Sequence, residues 1–301
     1  MPKNLLAHLA LLAVNLIYGS SHFIAKIVMP DYLKPNTFIL LRIFGATLMF
    51  WSLRFFIREK VENKDLIKIA IAGFFGVALN QLLFFQGLSI TSPIDSAIIM
   101  VTSPVIVTLL SFFILKTKLT SNKVIGISSG LIGAILLIYL SSNGNTDSSI
   151  LGNLFILGNA TSYSLYLVLV KPLLNKYKPL TVISYMFLFA FFIVLPFGIK
   201  DLDDFSWDFP PTVLLAIGFI ILFTTFCTYL FNIFAVKQLS PTIASSYIYL
   251  QPVFAMLIGF FIALGDSNSN HFGEITWQKI GCTLLIFTGV FLTSRTKKAI
   301  N

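Results

Sequence analysis

The chain is an almost unbroken succession of apolar stretches, each about as long as a bilayer is thick. Such windows fall at 5–28, 36–57, 66–88, 94–115, 123–141, 150–170, 180–200, 211–234, 241–263 and 275–293. A helix rising about 1.5 Å per residue needs roughly 20 residues to cross a hydrocarbon core about 30 Å thick. The connections are short. Little more than Ser89 to Pro93 separates the third window from the fourth, and Lys237 to Pro241 the eighth from the ninth. No loop is long enough to fold as a separate catalytic or nucleotide-binding module. Composition agrees: 56% of residues are apolar, 11% are charged and 31 are Phe, against about 25% charged in soluble domains. The expected fold is an all-α membrane protein of ten transmembrane helices. The first window follows a lone Lys3 and has no Ala-x-Ala cleavage pattern, so it reads as an uncleaved first span.

The distribution of positive charge sets the orientation. With the N-terminus inside, 16 of the 21 Lys and Arg fall on inner segments, among them Arg54, Arg58, Lys64, Lys68, Lys116, Lys171, Lys176, Lys237 and Arg295. The outer ends hold Lys26, Lys34, Lys200 and Lys279, and the acidic group Asp201, Asp203, Asp204 and Asp208. By the positive-inside rule both termini are expected to be cytoplasmic. The formal charge of +9 is therefore topological and requires no nucleic-acid partner. Cys227 and Cys282 both sit in apolar runs, and no metal-ligand spacing or cofactor motif appears.

The two halves of the chain repeat one another. Asn15 matches Asn159, and Lys34-Pro35 matches Lys178-Pro179, both at an offset of 144. Ser92-Pro93 and Pro104 match Ser240-Pro241 and Pro252 at 148, and Lys123 and Gly133 match Lys279 and Gly289 at 156. An offset that grows slowly in one order is what two five-helix copies with small loop insertions produce. Five is odd, so the copies enter the membrane from opposite sides as inverted repeats, divided here into 1–145 and 146–301. The first proline of each matched pair suits a helix start. The second lies about 16 Å further along, near mid-membrane, where it breaks a helix and frees backbone carbonyls. Interrupted segments in corresponding halves point to a transporter's binding site, so Pro104 and Pro252 are expected to flank one cavity.

Several features together resemble one family. They are the polar first helix (Asn15, Tyr18-Gly19-Ser20-Ser21-His22, Lys26), Arg42 in the second helix, and Gly87-Leu88-Ser89-Ile90-Thr91-Ser92-Pro93 leading into the fourth. The midplane Pro104 and the Gly-rich fifth and tenth helices complete the set. The chain is similar over nearly its whole length to EamA-type members of the drug/metabolite transporter superfamily. It departs from their usual Leu-Gly-Glu after the fourth helix, carrying Leu115-Lys116-Thr117-Lys118, with Leu264-Gly265-Asp266 in the second copy. The resemblance implies helices one, three, four, six, eight and nine around a central cavity, with five and ten peripheral. It also implies export of small metabolites such as amino acids or related compounds.

Polar residues in membrane helices face the bundle interior or water, where they line a path or hold helices together. Tyr18, His22 and Lys26 share one face of the first helix, with Asn15 beside them; Lys26 can also snorkel to the surface. Arg42 is costly at membrane depth, by roughly 2.5–3.5 kcal/mol on insertion scales, and either binds an anionic substrate group or else snorkels or pairs structurally, with Asp95 the nearest counter-charge by depth. The remaining candidates are Asn80, Gln81 and Gln86 in helix three, Asn159, Tyr163 and Tyr166 in helix six, Thr224, Thr228 and Asn232 in helix eight, and Ser245, Ser246, Tyr249 and Gln251 in helix nine. The glycines of helices five and ten (Gly126, Gly130, Gly133, Gly281, Gly289) suit close helix packing first and a homodimer face second.

The expected function is alternating-access transport of a small molecule across the inner membrane. No Asp or Glu lies near mid-membrane in any window. Coupling is therefore expected to be absent or to run through His22, an imidazole that titrates near neutral pH. The alternative is an integral-membrane enzyme acting on lipid or prenyl substrates. It would need a cluster of nucleophiles or ligands, and His8, His22 and His271 are scattered.

Overall fold

The computed structural model describes residues 3–57, 59–116, 120–142, 149–202, 208–265 and 277–294, and these are helical apart from short connections. In chain order they form α1 (Lys3–Val28), α2 (Pro35–Arg54), α3 (Asn63–Ser89), α4a (Pro93–Met100), α4b (Ser103–Leu115), α5 (Ser121–Ser142) and α6 (Ile150–Lys176). Then follow α7 (Pro179–Lys200), α8 (Pro211–Gln238), α9a (Pro241–Ser246), α9b (Leu250–Gly265) and α10 (Trp277–Ser294). Among the described residues seven helices are long and apolar enough to cross a membrane: α1, α2, α3, the α4 pair, α6, α7 and α8. In α5 and α10 the described apolar stretches are shorter, Val124–Gly133 and Ile280–Gly289. The protein is a multi-pass membrane protein. Its lipid-facing side is lined with exposed Leu, Ile and Phe, such as Leu215 and Ile67, and Phe55, Phe56 and Trp277 stand out at helix ends, where aromatic rings suit the membrane interface.

The matched sequence pairs adopt matched local structure. Ser92 and Ser240 are both extended N-caps whose hydroxyls accept from the backbone N–H of Asp95 (3.1 Å) and Ile243 (3.3 Å), with proline in the first turn. Lys34 and Lys178 are likewise extended residues before a helix-opening proline. Both α4 and α9 are interrupted just ahead of the second proline, at Val101–Thr102 and across the 3₁₀ turn Tyr247–Tyr249. A proline clashes with the preceding turn, so the break falls upstream of it.

Packing follows the same exchange. α3 packs on α6 as α8 packs on α1, α4b packs on α6 as α9b packs on α1, and α3 meets α7 as α2 meets α8. α2 pairs with α7, and α5 with α10. This is the pattern that a two-fold relation between the halves would produce. In the α5–α10 contact a Cβ on Gly289 would meet the Gly126 carbonyl and the Gly130 nitrogen, both at 2.5 Å. These small residues thus serve close packing inside the chain. A homodimer through α5 and α10 would use their outward side, with Ile132, Ile135, Leu284 and Leu285.

Two helices depart from α geometry at corresponding places, in π segments at Phe74–Ala78 of α3 and Ile220–Cys227 of α8. A π turn frees carbonyls from the helix ladder and often sits at functional sites. Here side-chain hydroxyls take them, two from neighbouring helices and one from α8 itself. Ser162 Oγ donates to the Phe75 carbonyl (2.7 Å), Tyr229 Oη to that of Gly76 (3.0 Å), and Thr225 Oγ1 to that of Ile220 (2.8 Å).

Candidate substrate cavity

At the centre of the bundle α1, α2, α3, α4a, α6, α8 and α9 enclose a cavity with about 680 Å³ of empty space counted to its mouth. Eleven of the sequence candidates line it: Asn15, Tyr18, His22, Arg42, Asn80, Gln81, Asn159, Tyr163, Thr224, Asn232 and Gln251. Tyr229, Phe84, Phe85 and Met100 are among the other lining residues. Among the described residues no carboxylate lines it, and no three His, Cys, Asp or Glu side chains gather where they could ligate a metal.

One hydrogen-bonded chain runs along α1. Asn15 Nδ2 donates to the Leu11 carbonyl (2.7 Å), and Gln251 Nε2 donates to Asn15 Oδ1 (3.0 Å). Gln251 also bonds His22, whose ring stands edge-on to Phe84 at 5.3 Å. Tyr18 bonds Thr228. Across the cavity Asn159 Nδ2 donates to the Asn80 carbonyl (2.7 Å), and Asn232 Nδ2 bonds Tyr163 Oη. Gln81 Nε2 donates to Tyr229 Oη at 3.4 Å.

Arg42 is 3% exposed. Its Nε and Nη2 both donate to Thr225 Oγ1, at 3.0 and 2.8 Å, and the Phe85 ring lies 4.2 Å from the guanidinium carbon. The expected partnership with Asp95 is not made. Depth along a helix does not fix the direction a side chain faces, and the α8 π segment brings Thr225 to α2 instead.

Six cavity-lining polar atoms are buried without a hydrogen-bond partner: His22 Nδ1, Arg42 Nη1, Gln81 Oε1, Asn159 Oδ1, Thr224 Oγ1 and Asn232 Oδ1. An unsatisfied buried polar group costs about 1–3 kcal/mol, and six such atoms belong to residues of this one cavity.

Other candidates are not among the lining residues. Pro104 is buried but does not line the cavity; Met100, at the end of α4a before the break, does. The Pro252 side chain lies outside the described residues, while its neighbours Ile248 and Gln251 reach the cavity. Tyr166 packs on the α3 π segment, where a Cβ on Gly76 would meet its ring at 2.5 Å. Thr228 Oγ1 turns back onto the Thr224 carbonyl. Tyr249 stands against Phe287 of α10, 5.9 Å between centroids.

Sequence reasoning missed Tyr229, Phe84, Phe85 and Thr225. In α8 it followed Thr224, Thr228 and Asn232 at four-residue spacing. The π segment widens the turn, so the adjacent Thr225 and Tyr229 also point inward, and nothing in the composition announces it.

Two polar clamps hold the ends of α3. At one end Gln86 Nε2 donates to Asn36 Oδ1 (2.8 Å), and Asn36 Nδ2 to Asp201 Oδ2 (2.9 Å). At the other, the buried Asp65 accepts from Lys68 (2.9 Å), Lys176 (2.6 Å) and Tyr177 Oη (2.9 Å). Lys171, counted above among the inner charges, places its ammonium on the Val236, Lys237 and Leu239 carbonyls at the end of α8 (2.6–3.0 Å), where a cation complements the helix dipole.

A multi-pass helical bundle around a central cavity into which polar side chains converge has the make-up of a membrane transporter. The chain belongs to the EamA-like transporter family, whose sequence pattern matches residues 5–139 and again 150–295, within the drug/metabolite transporter superfamily. It is 26% identical to the uncharacterized transporter YetK of Bacillus subtilis (strain 168), over 98% of this chain and 89% of that one. It is 27% identical to the uncharacterized transporter YyaM of the same organism, over 97% and 94%. A WAT1-related protein of Arabidopsis thaliana (At3g53210) is 24% identical over 97% and 86%. A solved crystal structure superposes with a TM-score of 0.65 over 96% of each chain at 14% identity, a likeness of fold alone.

Proposed function

We propose that this protein carries small metabolites, such as amino acids or related compounds, out of the cell across the inner membrane. In this reading ten crossings form two inverted repeats, residues 1–145 and 146–301, with both termini cytoplasmic. The central cavity between the repeats opens to one side and then the other, and the Gln86–Asn36–Asp201 and Asp65–Lys176–Tyr177 clamps hold its two ends in turn. The observation that carries the proposal is the set of six buried, unpartnered polar atoms on five helices around one cavity. A polar solute would satisfy them on binding and leave them to water on release. Arg42, with Nη1 unused and no lining carboxylate among the described residues to neutralise it, suits a carboxylate on the substrate. Flux into proteoliposomes across a panel of amino acids and related metabolites tests the reading. Flux above empty liposomes for at least one compound, reduced by Arg42→Gln, is expected. Rates equal to empty liposomes throughout the panel would sink it.

A further inference from the structure

We propose that a groove at the lysine-bearing ends of α3, α4b and α6 binds an anionic glycerophospholipid by its headgroup and upper acyl chain. α3 and α4a are joined through Ile90–Ser92 at their far ends; at this end α3 and α4b splay apart, both resting on α6. The opening offers about 1100 Å³ up to its open side. Lys64, Lys68 and Lys176 form its rim, and Ile71, Ile114, Val168, Leu169 and Leu173 its wall.

The two chemistries are stacked in the order a phospholipid presents them. Lys64 precedes Ile71 by seven residues on α3, and Leu169 precedes Lys176 by seven on α6, so on both walls the apolar surface extends about 10 Å beyond the cations. Ile71 and Ile114 are 45% and 42% exposed, facing the open side.

Charge favours an anion. Three ammonium groups face two carboxylates, Glu62 and Asp65. Lys64 bonds only Glu62 (2.9 Å) and Lys68 only Asp65 (2.9 Å), and their side chains are 72% and 63% exposed. Each ammonium carries three donors, so both have N–H groups to spare. Basic pockets between membrane helices at the cytoplasmic side hold anionic headgroups in this way. Pro172, also on the groove, has no N–H to pair with the Val168 carbonyl one turn back. The site lies apart from the central cavity, and the inference rests on membrane embedding and not on the transport reading.

The test is thermal unfolding of the detergent-purified full chain with added phosphatidylglycerol, phosphatidylcholine or soluble glycerol 3-phosphate. Phosphatidylglycerol is expected to raise Tm by about 5 °C relative to phosphatidylcholine, glycerol 3-phosphate to have no effect, and K64Q/K68Q to lose most of the rise. An equal rise with phosphatidylcholine, or an undiminished one in K64Q/K68Q, overturns the proposal. A full rise with glycerol 3-phosphate would make this a site for free phosphate and overturn the lipid. Native mass spectrometry of the wild type asks the same question without a variant, with preferential retention of phosphatidylglycerol over phosphatidylcholine expected and equal retention counting against it. Ile114→Trp, which fills the apolar wall without touching a charge, is expected to weaken that retention.

Discussion

Arg42 on α2 spends two of its three nitrogens on a single hydroxyl, that of Thr225 on α8, and leaves Nη1 without a partner beside the cavity. Thr225 in turn donates to the Ile220 carbonyl five residues back, a spacing that exists only because α8 is a π helix there. The guanidinium is thereby fixed by a neutral group and held over the face of Phe85. Its positive charge stays available to whatever enters.

If that charge receives the substrate, Arg42→Gln should raise the apparent KM for a carboxylate-bearing substrate by about tenfold or more, since a charge-assisted hydrogen bond contributes about 1.5–3 kcal/mol. Arg42→Lys keeps the charge but loses the planar fork, and should fall between the two. Initial-rate flux as a function of substrate concentration checks this. An unchanged KM in Arg42→Gln would leave Arg42 a structural role only.

Tyr229 donates to the Gly76 carbonyl that the α3 π segment sets free. Tyr229→Phe leaves that buried acceptor without its donor, so a destabilisation of about 1–3 kcal/mol is expected. Ser162→Ala should do the same to the Phe75 carbonyl. Thermal unfolding in detergent measures both, and two variants as stable as wild type would mean the π segment does not depend on these donors.

Much of this structure was legible beforehand, for identifiable reasons. Apolar windows locate helices because a bilayer demands length and greasiness together. Ser92-Pro93, Ser240-Pro241, Lys34-Pro35 and Lys178-Pro179 marked helix starts because a missing N–H costs nothing there. Direction was harder to read. Asp95 has about the right depth to meet Arg42, but the facing side chain is Thr225. Pro104 was expected at the cavity, yet a proline disturbs the turn before it, and Met100 at the end of that turn is what arrives. Tyr166 is three residues beyond Tyr163, and that rotation turns it onto Gly76. The π segments leave no compositional trace.

The α5–α10 contact gives a paired test in two glycines on one helix. A Cβ at Gly289 would stand 2.5 Å from backbone atoms of α5, whereas one at Gly281 would meet nothing within 4 Å. Gly289→Ala must push the helices apart and should cost about 1–3 kcal/mol. Gly281→Ala should be neutral or stabilising by up to about 1 kcal/mol. Tm values of the two variants give the comparison, and a similar loss in both would discredit the packing.

At the lysine-bearing end, Lys176 first and Lys64 second hold the Glu62 carboxyl below the usual carboxylate range. A depressed carboxylate contributes stability above its unfolded value of about 4.3, and the contribution disappears as pH falls through the lower folded value. Tm should therefore drop on acidification below about pH 4.3, and Glu62→Gln should lower Tm slightly at neutral pH, where the contribution is fully present, and flatten part of that acid limb. An acid limb of the same shape in both proteins would assign it to other groups.

His22 is the remaining question about energy coupling. Among the described residues no carboxylate lines the cavity, so the imidazole is the lining group whose ordinary pKa lies nearest neutrality. It is buried and bonded to Gln251, and its Nδ1 has no hydrogen-bond partner. If protons are coupled to transport through this ring, His22→Ala should abolish the dependence of flux on an imposed pH gradient while leaving exchange of substrate across the membrane measurable. His22→Gln, which keeps hydrogen bonding but cannot titrate, should behave alike. The two variants together separate a proton carrier from a mere hydrogen-bonding wall: a wall residue would be rescued by glutamine, a carrier would not. Full gradient dependence in both would remove His22 from the coupling path and leave facilitated, uncoupled movement as the simpler mechanism.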